Sequence, residues 1–77
     1  MNTKVKILQI MLSDLVSERD TLEIELNRVL NNVESPIVHK KIDFDKLLGD
    51  ISLTNNKINM LSEYMGSLNN EENNNND

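Results

Sequence analysis

The chain has no cysteine and no tryptophan, a single proline, two glycines, and one each of phenylalanine, tyrosine and histidine among its 77 residues. Without cysteine there is neither a disulfide framework nor a thiol nucleophile, and one histidine cannot supply the paired imidazoles of a zinc site. There is no Gly-rich loop to cradle a phosphate and no indole for stacking a base or caging a ligand. These absences remove the usual supports of a small domain. A chain this short forms one domain at most and buries too little surface for a generous core, so it depends on regular helix packing or on another chain.

Positive charge is also scarce. Eight Lys and Arg stand against thirteen Asp and Glu, a net charge of −5 and a pI near 4.7, so nothing draws the whole chain to phosphate backbones or anionic lipid. Nucleic acid is not an expected partner. Lys4 and Lys6 make the start basic, the stretch from Asp14 to Glu34 is acidic, and Glu71, Glu72 and Asp77 close an acidic end. Long apolar runs are missing too. Lys6, Gln9, Ser13 and Asp14 interrupt the segment from Val5 to Val16, no cleavage-site pattern follows it, and nothing approaches the roughly 20 apolar residues of a membrane span. A cytoplasmic protein with no membrane span is expected.

What is present is a heptad. With Val5, Leu12, Arg19, Leu26 and Val33 at a and Leu8, Leu15, Leu22 and Val29 at d, only Arg19 interrupts the stripe. Thr3 is a candidate N-cap, no Gly or Pro precedes Pro36, and strong helix formers dominate, so one helix is expected over about residues 4–34. Pro36 ends it by excluding the α conformation at Ser35. A loop over 35–43 follows, and Asp43 reads as the N-cap of a second helix over about 44–67, with Asp45 in its first turn. Phe44, Ile51, Ile58 and Met65 take a there, and Leu47, Thr54, Leu61 and Leu68 take d. Gly49 costs this helix stability or permits a neighbour to approach closely, and Gly66 with Ser67 marks an expected end.

The two heptads are out of frame across the loop, which argues against one rod and for an antiparallel pairing. The expected fold class is therefore all-α: an antiparallel two-helix hairpin or coiled coil over residues 1–68, with a disordered, acidic, Asn-rich tail over 69–77. Pairing Val33 with Phe44 brings Leu68 back near Gln9 and leaves the N-terminal turn overhanging. Arg19 at an a position either lays its aliphatic stem on the seam and reaches acids such as Glu23, or fixes register and oligomer state.

No constellation of nucleophile, base or metal ligand is legible, so the chain is expected not to be an enzyme and to need no cofactor or metal. His39, between Val38 and Lys40, is expected to be solvated. Ser35-Pro36 followed by Asp45-Lys46-Leu47-Leu48 resembles small aspartyl-phosphate phosphatases, which are also helical hairpins. Their Ser-Gln-Glu-Leu-Asp signature is absent before Asp45, where Lys41, Ile42, Asp43 and Phe44 stand, and capping accounts for both aspartates.

Apolar residues also lie outside the stripe: Ile7, Ile10, Met11, Val16, Ile24 and Leu30 in the first helix, Leu48, Leu53, Met60 and Tyr64 in the second. Two helices cover only one side of each other, so the surplus points to another protein chain, a hetero-partner or further copies of this one. The expected partner-binding residues are Val5, Ile7, Leu8, Ile10, Met11, Val16, Leu53, Met60 and Tyr64, and the expected function is that of an assembly chaperone or adaptor. A self-associating coiled coil is the alternative.

Leu22-Glu23-Ile24-Glu25-Leu26, followed by Ile58, Leu61, Tyr64, Met65, Gly66 and Leu68, is similar to the small co-chaperones of type III secretion needle subunits (the YscE, PscE and SsaE group). That resemblance implies a heterodimer with a tetratricopeptide-type partner and a jointly bound needle subunit kept from premature polymerisation. The long first helix and acidic polar end also resemble the coiled-coil chaperone that helps T4-type phages assemble tail fibres, whose first helix oligomerises in parallel. If the aspartates only cap, Asp45→Ala leaves the biological activity unchanged and acyl-phosphate hydrolysis at background. Phosphate release by the wild type that a folded Asp45→Ala protein loses would establish a phosphatase.

Overall fold

In the computed structural model, residues 3–75 are described, with side chains as far as Leu68. Helix α1 spans Thr3–Asn31 and helix α2 spans Ile37–Asn75. They fold back on each other as an antiparallel hairpin about two helices thick, 62 × 16 × 13 Å. The long axis follows from the helices themselves, since 39 residues in α2 at about 1.5 Å each give nearly that length.

The seam is the one the heptad specifies. Val5, Leu8, Leu12, Leu15, Arg19, Leu22, Leu26 and Val29 of α1 are half-buried, and so are Phe44, Leu47, Ile51, Ile58, Leu61, Met65 and Leu68 of α2. Thr54 is the single buried residue among those described, 4% exposed. Its Oγ1 donates to the Asp50 carbonyl oxygen at 2.9 Å, so the buried hydroxyl is satisfied within its own helix. One position on, Asn55 Oδ1 accepts from Arg19 Nη1 at 3.5 Å. The two polar interruptions of the heptads thus fall together midway along the hairpin.

The connection differs from expectation. α1 stops at Asn31 rather than 34, and only residues 32–36 are non-helical. Asn32 turns the chain: its amide donates to the Val29 carbonyl at 3.4 Å, and its side-chain oxygen accepts from the Glu34 amide at 3.1 Å, an Asx turn. The Pro36 carbonyl then accepts from the Lys40 amide at 3.1 Å, which makes Pro36 the first cap of α2. Proline ends a helix on its N-terminal side but suits the start of the next, where its fixed φ is already right and no N–H is needed. Hence the expected loop 35–43 is mostly helix, and Asp43 and Asp45 are exposed residues inside α2 rather than its cap and first turn. Val33, expected on the seam, lies in the turn and is 89% exposed.

The shorter turn also shifts the pairing. Matching Val33 with Phe44 would set Arg19 against Ile58, whereas Arg19 reaches Asn55. Nor does the start of α1 overhang, because Tyr64 lies beside Lys4, Ile7 and Leu8. At the other end, the backbone of residues 69–75 continues α2 beyond the expected stop at 67. Adding residues to a nucleated helix costs less than starting one. Asn76 and Asp77, the last of the expected disordered tail, lie outside the described residues.

Neither glycine marks a close approach or an end. A side chain at Gly49 or Gly66 would meet nothing within 4 Å, so both positions carry the entropic cost of glycine in a helix with no packing gain. Gly49→Ala is therefore expected to stabilise the isolated protein by about 0.5–1 kcal/mol, read from urea unfolding. A loss of stability would mean that another surface packs against Gly49.

Candidate functional site

The hairpin has a seam but no enclosed core. Among the described residues no apolar side chain is buried, and thirteen large apolar side chains are exposed. The chain exposes 6108 Å², whereas a compact monomer of 8.8 kDa exposes about 4,800 Å². The excess arises from the rod shape.

Part of the exposed apolar surface is gathered into grooves. In an antiparallel pair the g positions of the two helices meet on one side and the e positions on the other. On the g side, near the open end, Met11, Leu15, Met60, Leu61 and Tyr64 line a groove of about 720 Å³ whose charged borders are Asp14 and Lys57. Ile7 extends it past Tyr64 toward the start of α1. Met60 is 70% exposed, and Met11 and Tyr64 about half. A methionine pair beside a tyrosine makes an adaptable apolar surface with one polar tip.

The expected partner-binding residues divide accordingly. Ile7, Met11, Met60 and Tyr64 come together on this groove. Ile10 and Leu53 are exposed but do not line it. Val5 and Leu8 are half-buried in the seam, because the observed register brings Tyr64 beside Leu8 and leaves no overhang. Val16 is half-buried as well, since its e position lies beside the seam.

A second groove, of about 1010 Å³, lies on the e side at the loop end. Leu30, Ile37, Val38, Ile42, Phe44 and Leu48 line it with Lys40, Lys41 and Asp45. The sequence reading assigned most of this segment to a loop. Its signal was present in Ile37, Val38 and Ile42, whose spacing is helical once Pro36 is taken as a helix start. On the g side near the loop, a smaller depression of about 320 Å³ is lined by Glu25, Asp43 and Asp50 with Lys46, Val29 and Leu47. Arg28 pairs with Glu25 one turn away, and that hydrogen bond first, then its charge, raises the guanidinium above its ordinary range. The pair stands in solvent and contributes little to the fold. Arg19 answers Asp20 at 3.6 Å and Asn55, rather than the expected Glu23.

Compared with family models, curated proteins and solved structures, the chain matches none. No helix among the described residues is long and apolar enough to cross a membrane. Function must therefore be argued from the two apolar grooves and the charges around them.

Proposed function

We propose that this protein is an assembly chaperone or adaptor that covers part of another protein chain with its g-side groove. One observation carries this: Met11, Leu15, Met60, Leu61 and Tyr64, contributed by both helices, gather into an apolar groove that the hairpin itself leaves open. Burying such surface at about 25 cal/mol per Å² is the main gain open to a chain with so little internal core. The groove between two parallel-running rods suits a third helix, laid in by its apolar stripe. Such a helper would act in the cytoplasm, where newly made subunits are met. The sequence resemblances to needle-subunit co-chaperones and to the phage tail-fibre chaperone would imply the same class of activity with different clients. The same exposed area also favours self-association as a second reading, which light scattering would show as a multiple of 8.8 kDa.

The test is co-expression with the products of neighbouring genes, followed by titration calorimetry on any complex that co-purifies. Met60→Asp and Tyr64→Asp are expected to weaken the complex at least tenfold, and Ser62→Asp on the e side to leave it unchanged. A complex indifferent to both groove substitutions, or failure of every neighbour to bind, would contradict the proposal.

A further inference from the structure

The e-side groove at the loop end differs from the first in charge. Lys40 and Lys41 line it against Asp45 alone, so a locally cationic apolar site stands on a chain of net charge −5. It also adjoins the start of α2. There the amides of Ile37, Val38 and His39 have no carbonyl a turn earlier to bond, Pro36 offers no side-chain oxygen, and the first turn contains no acidic residue. A carboxylate near these amides would be favoured by the positive end of the helix dipole. Ile37 and Val38, both largely exposed, form part of the adjoining groove.

We propose that the loop end is a second binding site, distinct from the g-side groove, for an acidic amphipathic segment of another protein. The apolar side chains of such a segment would lie on Ile42, Phe44 and Leu48, and its carboxylates would meet Lys40, Lys41 and the first amides of α2. The groove runs from Ile37 to Leu48, matching a partner helix of about 12 residues. A second copy of this chain is a poor occupant, because a two-fold contact through this patch would set the lysines of one copy against those of the other. An anionic membrane is also a poor one, since two lysines give little attraction against the repulsion of an acidic chain.

Fluorescence anisotropy with the full chain tests this, using two labelled helical peptides of the same leucine stripe, one with glutamates and one with lysines at the polar positions. The acidic peptide is expected to bind at least tenfold tighter than the basic one and to weaken with salt. Lys40→Glu with Lys41→Glu should remove that preference, and Ile42→Gln with Leu48→Gln should abolish binding while circular dichroism stays unchanged. Met60→Asp should have no effect, which separates this site from the g-side proposal. Equal affinity for both peptides, or binding lost through Met60→Asp alone, overturns the assignment. So does a homodimer in light scattering that Leu48→Gln dissociates, or sedimentation with phosphatidylserine vesicles by a chain that ignores the acidic peptide.

Discussion

The structure depends on a single packing seam. Two helices meet along the a and d positions, and no third element covers the other faces of either. A helix pair buries one stripe of each partner and no more, so every apolar residue outside that stripe remains in water. The exposed grooves are therefore a direct consequence of the architecture. Without cysteine, and with no cluster of metal-ligating side chains among the described residues, the chain has no disulfide to replace the missing burial.

Polar residues within the seam shape it as much as the apolar ones. Arg19 and Thr54, the polar residues of the heptads read from Val5 and from Phe44, fall at the same level, where Arg19 reaches Asn55 across the pair. The guanidinium contact favours one alignment over a slip by a heptad, in which Arg19 would face apolar seam residues. Thr54 needs no partner from α1, because its hydroxyl returns to the Asp50 carbonyl.

The sequence made the seam legible because a heptad is a global pattern, repeated in each helix, and one exception such as Arg19 does not blur it. The helix limits were less legible because they turn on local competition. Asn32 and Pro36 divide the chain within five residues, and proline's two roles give opposite boundaries depending on which side of it is considered. Reading Pro36 only as a stop hid the first turns of α2 and with them the loop-end groove. The register set by the short turn also covers Val5 and Leu8, which the expected pairing left in an overhanging turn. Ile7, Met11, Met60 and Tyr64 were legible because g and c positions are fixed by the heptad frame, whatever the ends do.

The two grooves sit on opposite sides and at opposite ends, one bordered by a balanced Asp14 and Lys57 and the other by lysines. That separation suits a short adaptor that holds two different surfaces apart. The central claim is that the hairpin alone is underburied, and calorimetric unfolding of the isolated chain tests it most directly. A broad transition is expected, with an enthalpy well below the roughly 0.7 kcal/mol per residue of ordinary globular domains near 60 °C. A sharp, concentration-independent transition of a monomer with the full enthalpy would contradict it.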